Sequence, residues 1–437
     1  MPKVPRCSTS AIRFAGASSE VSKHVTIIGA GIVGLCTALY CSERGWRVTI
    51  VDRSGAQRDG CSYGNTGLIV PSHFIPLAAP GAVAQGLKWM LNPASPFYVR
   101  PRPSLELLAW GVRFWRASSA VRVARAAPLL IDLSLASHEC YHELAGAGMD
   151  LGLADKGTLI LCQTRHRFDE ESKTAEYARA LGLEARVLSR DETAALDPDV
   201  RMDVVGSVHY PKDSNLVPSR AMATLQRELA QRGTRFAWHS EVIGFRFDRK
   251  ALQAIRLTSG EEIDADVFVL AAGSWSAKLG AAAGINVPLQ AGKGYSLTLS
   301  SPRKLPRSAA LLAEARVAVS PMGDALRVGG TMELSGLDES IDPIRVRSII
   351  DAFVRYYPDF SRDDFQGIAP WGGLRPCSPD GLPYIGRTSR AANLLVGTGH
   401  AMMGVSLAPI TGRLLAQLIA GERPRIDLAP LSPDRYH

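Results

Sequence analysis

Glycines at 29, 31 and 34 and an acid at 52 can do one chemistry together, the holding of a dinucleotide. In Gly29-Ala-Gly31-Ile32-Val33-Gly34, the first glycine permits a tight turn, the second lets a pyrophosphate approach the backbone, and the third lets a helix close on a strand. The phosphates would sit at the helix N-terminus, where unpaired N–H groups and the dipole favour negative charge. Asp52 stands where a carboxylate takes ribose hydroxyls. Glycine turns without ligands are common, so the context decides. A β-branched run from Val25 precedes these glycines, a helical pattern follows to Arg44 with Gly45 as its stop, and a second strand runs from Arg47 to Val51. Which dinucleotide binds is left open by this stretch.

Three more stretches can bring backbone close to a ligand. Gly60-Cys-Ser62-Tyr63-Gly-Asn65-Thr66-Gly67-Leu68 is too rich in glycine and small polar residues for regular structure, and reads equally as a plain connecting turn. Asp264-Ala-Asp-Val-Phe-Val-Leu is a buried strand running into Ala271-Ala272-Gly273-Ser-Trp-Ser. Gly397-Thr-Gly399-His400-Ala-Met402-Met403-Gly404-Val405 is a second strand-to-helix junction, far from the first. His73 and His400 are the histidines in motif context, and imidazole titrates near neutrality. Lys293 and Tyr295 share one face of a strand. Tyr295 could wall a pocket or simply pack, and Lys293 reads as a solvated lysine.

The elements that must position these groups alternate between helix and strand. Helices are expected over Ser104–Arg116, Ile131–Gly148, Arg167–Leu181 and Pro343–Tyr356, with Ser189 and Glu192 forming a capping box. Strands are expected at Gly157–Cys162 and from Gly206, as a meander over Glu241–Val269, and through 289–334 with a hairpin at Met322-Gly-Asp324. Between Pro80 and Leu130 helical segments are broken by Pro93, Pro96, Pro101 and Pro103, with Trp89, Trp110, Phe114 and Trp115 among them. Six arginines against one glutamate occupy 99–126, which suits either an anionic membrane surface or a solvated helix face beside a substrate cap; the apolar face of Ser104–Arg116, wide enough to be core, favours the cap.

The 437 residues, 46% hydrophobic and 21% charged, can bury a large core in two or three domains. No apolar run approaches the roughly 20 residues of a membrane span. The first 22 residues carry three basic groups before Glu20 and lack a secretory apolar core, so a disordered leader is expected. The seven cysteines lack C-x-x-C spacing, which argues against a zinc site and a disulfide framework and fits a reducing cytoplasm. No metal is expected. A net charge of +8 without a recognition motif makes nucleic acid an unexpected partner.

The order of these motifs, with Ala291-Gly-Lys-Gly-Tyr-Ser-Leu-Thr-Leu299 and Trp371-Gly-Gly-Leu-Arg375-Pro-Cys-Ser-Pro-Asp380-Gly-Leu-Pro-Tyr-Ile-Gly386, resembles the flavin-dependent amine oxidoreductases of the D-amino-acid oxidase and glycine oxidase superfamily, most closely the bacterial D-amino-acid dehydrogenases. The resemblance covers residues 24 to about 422. It implies an α/β fold: a Rossmann-like FAD-binding domain with a discontinuous α+β substrate domain on a mostly antiparallel sheet. The expected divisions are a leader at 1–23, the FAD domain at 24–79, 200–288 and 366–425, the substrate domain at 80–199 and 289–365, and a tail at 426–437.

The resemblance implies non-covalent FAD lined by Gly29, Gly31, Ile32, Val33, Gly34, Asp52 and Arg53, by Ser62, Asn65, Thr66, Gly67 and Leu68, by Val242, Ala272 and Gly273, and by Gly399, His400, Met402, Met403, Gly404 and Val405. Relatives usually carry Glu at Asp52; the shorter acid still reaches ribose. Some relatives attach flavin through a cysteine where this chain has Gly373. Arg375 is the expected carboxylate ligand, since its guanidinium matches a carboxylate bidentately. Tyr295 is a catalytic candidate, and Tyr63 and His73 are substrate candidates.

The implied reaction is oxidation of a D-amino acid or a cyclic D-imino acid, such as D-proline or hydroxy-D-proline, by hydride transfer from Cα to flavin N5. The expected acceptor is a membrane quinone, with peripheral contact at the inner membrane through 99–126. Alternatives are an oxygen-using glycine or sarcosine oxidase, a nicotinamide-dependent dehydrogenase, and a binding or assembly role.

Overall fold

A computed structural model describes residues 22–436 apart from 82, 85 and 87–94. Residues 1–21 of the expected leader, and Trp89 and Pro93, lie outside the described residues. The chain builds two large sheets. The first, of six strands, runs in the order Tyr384–Arg387, Leu394–Thr398, Val267–Leu270, His24–Ile28, Arg47–Val51, Arg235–Ala237. All its pairings are parallel except the one between the first two strands. His24–Ile28 is buried at every position because neighbouring strands and helices cover it on both sides.

Helix Ile32–Ser42 packs on this sheet and against helix Gly404–Ala420. The two helices meet at Gly412, where a Cβ would lie 2.5 Å from the backbone carbon of Cys36, so only glycine allows this approach. The second helix, extended to Ala401–Ala420, is long and apolar enough by composition to cross a bilayer, contrary to the expectation from apolar runs. Here it is mostly buried, against Ile32–Ser42 and against helix Ala120–Gly146.

The second sheet has nine strands, and six of its eight pairings are antiparallel. Gln290–Leu299 lies between Trp371–Cys377 and Ala325–Leu334. One face of this strand packs Tyr295 and Leu297 against Val346, Ile349 and Phe353 of helix Pro343–Tyr356. The other face is turned to the nucleotide-binding half, with Ser296 Oγ donating to the carbonyl of Gly64 at 3.0 Å.

Several boundaries differ from the sequence expectation. Gly206–Tyr210 and Trp371–Cys377, grouped with the FAD domain from their neighbours in the chain, pair into the nine-stranded sheet. The helix expected from Ile131 begins at Ala120 and runs through Pro128 to Gly146. Residues 426–436 are docked: Leu431 is fully buried, and Arg435 pairs with Asp380 at 2.8 and 3.0 Å and stacks on Tyr384. This clamp fixes the turn that follows Arg375.

Candidate active site

The nucleotide-binding half forms where the parallel strands end. Gly29 has φ +108°, and a Cβ there would lie 2.5 Å from the carbonyl oxygen of Ala271; one on Gly34 would meet the Gly29 carbonyl oxygen at 2.0 Å. Strand, turn and helix are thus closed to side chains. The helix opens at Gly31 with no side-chain cap and no acid in its first turn, and the Ile32 amide donates to Ser62 Oγ at 3.1 Å. Ile32 is buried, and Val33 packs near Gly397. Asp52 accepts from the amides of Ala30 at 2.7 Å and Ser54 at 2.8 Å, which aims its carboxylate into the same turn.

Around this turn, Arg53 stacks on Trp275 at 3.8 Å, and Val242 packs with Ile28, Val51 and Leu270. Ala272 lies against Gly29, and Gly273, at φ +55°, faces open space where a Cβ would stand. The uncapped amides, the crossing glycines and the aimed carboxylate fit a dinucleotide pyrophosphate and ribose.

The glycine loop is held by a residue that sequence reasoning did not single out. Half-buried Arg327 donates to the carbonyls of Tyr63 and Asn65, each at 2.7 Å, tying the loop to the second sheet. Asn65 Oδ1 accepts from Gly67 N, Thr66 lies against Gly329, and Leu68 pairs with Asn215. At the second junction Gly399 has φ +80° and Ala401 φ +47°. Met402 packs with Trp110 and Met332, Met403 and Val405 are buried, and Gly404 starts a helix that also lacks a side-chain cap.

His400 Nε2 is 2.9 Å from Thr411 Oγ1, whose hydrogen goes to the Leu407 carbonyl, so the ring nitrogen donates to the hydroxyl. Burial pushes His400 down to about 3, and burial beside Arg316 pushes His73 down to about 4. Neither imidazole titrates near neutrality, the property for which they were noted.

Arg375 lies on the sheet face opposite the one that carries Tyr295. Its guanidinium covers Gly294, where a Cβ would fall 2.1 Å from Nη2, and Cys377 covers Gly292 in the same way at 2.8 Å. Glycines flanking Lys293 therefore make room for the arginine. Nη1 donates at 2.6 Å to the carbonyl of Thr331. Thr331 has φ +60° and sits where strand register shifts, with Lys293 opposite Glu333 but Tyr295 opposite Gly330. This bulge turns its carbonyl to the arginine. Among the described residues no carboxylate pairs with Arg375.

Beside Arg375 are Cys61, Cys377 and, over Gly64 and Gly373, the ring of Trp371. Burial pushes the Cys377 thiol up to about 12, keeping it protonated. Trp110 donates through Nε1 to the Cys377 carbonyl at 3.0 Å, and Ser274 Oγ donates to the Leu374 carbonyl at 3.0 Å, so both halves of the molecule brace this strand.

Not every candidate is brought to this place. Tyr295 donates to Glu333 Oε2 at 2.7 Å within the core under helix Pro343–Tyr356. Tyr63 accepts from Gln226 and lies beside Arg58, on the side of helix Pro218–Gln231. Lys293 is not solvated: at 1% exposure it donates to the Ser340 carbonyl at 2.8 Å and pairs with Asp338 at 3.2 Å. The alternation that gave it Tyr295's face was right; the covering helix makes that face an interior.

A nucleotide-binding sheet joined to a second sheet that offers a guanidinium with no carboxylate partner over a glycine floor fits a dinucleotide-dependent protein with a place for an anionic group. The chain belongs to the DAO family of FAD-dependent oxidoreductases, whose model matches residues 24–418. FAD is therefore its cofactor, which resolves the choice left open by the first glycine stretch. It is 32% identical to a D-amino acid dehydrogenase of Granulibacter bethesdensis over 94% of this chain and 99% of that one. It is 31% identical to a D-amino acid dehydrogenase of Vibrio atlanticus over 94% of this chain and all of the other. Among solved structures it is similar to glycine oxidase from Geobacillus kaustophilus, with a TM-score of 0.76 at 23% identity, covering 95% of this chain and all of that one.

Proposed function

We propose that this protein oxidises D-amino acids, including cyclic D-imino acids such as D-proline and hydroxy-D-proline, and passes the electrons to a membrane quinone. The observation that carries the substrate class is Arg375: a charged, forked donor over Gly294, with no acidic partner among the described residues, suits a substrate carboxylate. The names of the two relatives support the D configuration. Bound FAD supplies the two-electron acceptor for the Cα–H bond. The residues of the chain hold and orient: Arg375 takes the carboxylate, the Thr331 carbonyl fixes its fork, and Trp371 and Met402 wall the site against water. The imine formed from a primary amino acid is hydrolysed by water to the keto acid and ammonia, whereas a cyclic substrate leaves as its ring imine with the nitrogen retained.

The quinone route rests on helix Leu105–Ala117. Leu105, Leu108, Val112 and Trp115 form one stripe at helical spacing, and they are 86%, 65%, 40% and 64% exposed. The expectation that this face is core is reversed; Trp110 and Ala117 alone are buried on this helix. Exposed Arg116, Arg122 and Arg125 flank the stripe, a pattern suited to the inner surface of an anionic membrane. Through Trp110 the helix reaches the strand of Arg375, so a lipid-borne acceptor would arrive beside the site. On this reading the protein works in the cytoplasm at the periphery of the inner membrane.

The test is substrate-dependent reduction of a quinone analogue and, separately, of oxygen, by the holoenzyme over D-, L- and cyclic amino acids. D-substrates with quinone should turn over fastest. Turnover restricted to L-substrates, or peroxide as the main product, would contradict the proposal.

A further inference from the structure

Outside this site, two histidines and an aspartate converge on one point. His138 and His142 stand one turn apart on helix Ala120–Gly146, and their Nε2 atoms are 3.3 Å from each other. Asp155 Oδ1 lies 3.3 Å from His142 Nε2 and 4.0 Å from His138 Nε2. Among the described residues this is the one group of three such ligand atoms that close together.

We propose that His138, His142 and Asp155 bind a divalent transition-metal ion of the Zn²⁺ type. Metal–ligand bonds of about 2.0–2.1 Å at tetrahedral angles put neighbouring donors roughly 3.3 Å apart, which is the spacing found for two of the three pairs. Without an ion, two imidazole nitrogens facing each other share one hydrogen at best, and two protonated rings repel. The carboxylate is set in place by the backbone beside it: Ala154 and Asn215 exchange hydrogen bonds of 2.8 and 3.0 Å, and Ser214 Oγ donates to Asp155 Oδ1 at 2.5 Å. With that hydrogen committed to Asp155, Ser214 Oγ accepts from His138 Nε2–H at 2.9 Å in the ion-free protein, and a bound ion would take the place of this Nε2 hydrogen. His138 is buried, while the side chains of His142 and Asp155 are 41% and 53% exposed, leaving an open side for the ion to enter and for water as a fourth ligand.

The ion would join parts that already brace the cofactor half. From the same helix, Ser137 Oγ and Tyr141 OH donate to the carbonyls of Ser406 and Val405 in the first turn of the helix that opens at Gly404. Strand Ser214–Asn215 pairs with Leu68–Ile69, which continues the glycine loop. A metal clamp between helix and strand would therefore stiffen both approaches to the FAD.

The experiment is Zn²⁺ titration of the tag-free holoenzyme by calorimetry and chelator competition, with a parallel thermal melt. The expected result is one ion per chain, a raised unfolding midpoint, and affinity at least tenfold weaker in His142→Ala and in Asp155→Asn. His166→Ala, which removes an exposed histidine beside Glu170, should bind as the parent does. His142 is half-exposed, so its variant keeps its fold and its bound flavin spectrum checks that. No stoichiometric Zn²⁺ binding, or equal binding by the parent and His142→Ala, would overturn the assignment.

Discussion

Arg375 depends on what its neighbours lack. The guanidinium occupies the space a side chain on Gly294 would need, so Gly294→Ala should fold, because the atom it displaces is the mobile end of an arginine, yet push that fork out of line. The expected outcome is a KM for amino acid raised about tenfold or more, roughly 1.4 kcal/mol of lost binding, with flavin content unchanged. Steady-state kinetics beside a flavin absorbance ratio checks both. The part of the site legible in the sequence was the part set by local backbone: Gly29, Gly34 and Asp52 carry their geometry in their spacing. Thr331 was illegible, since its positive φ arises from a register shift between strands far apart in the chain. Lys293 and Tyr295 were put on one face correctly, but which face is interior depends on helix Pro343–Tyr356.

Among the elements, the junction between helices Ile32–Ser42 and Gly404–Ala420 matters most, because each opens without a side-chain cap at one of the two glycine-rich strand ends. Gly412 lets them touch backbone to backbone. Gly412→Val would have to part them, at a cost of about 1–3 kcal/mol from overpacking; denaturant unfolding should show that loss, and equilibrium dialysis a weaker hold on FAD. A variant as stable as the parent would contradict this reading of the interface. Both helices were recognisable from the glycine-rich junctions that open them; the left-handed Gly421 that ends the second is seen in the structure. Helix Ala120–Gly146 was cut short in the sequence reading, because Pro128 lies within it and the segment before it is proline-rich. Tertiary contacts of Ser137 and Tyr141 hold it as one element.

For the whole molecule, Trp110 ties the helix that carries the exposed apolar stripe to the strand that carries Arg375. If the stripe meets a membrane, Leu108→Glu with Trp115→Glu should release the protein from anionic vesicles. Each of these side chains is worth about 1.5–3 kcal/mol when buried, so partitioning should fall at least tenfold. Reduction of a water-soluble dye should be unchanged and quinone reduction in vesicles should drop. Composition showed the arginines and tryptophans of this segment but not that the apolar face points outward, because amphipathic periodicity is the same for core and membrane helices. The most direct measurement of the central claim is anaerobic flavin bleaching by a D-amino acid in the parent and in Arg375→Met. The parent should bleach, and the variant should keep its flavin spectrum and need far more substrate to bleach. Bleaching of both proteins at the same substrate concentration would contradict it.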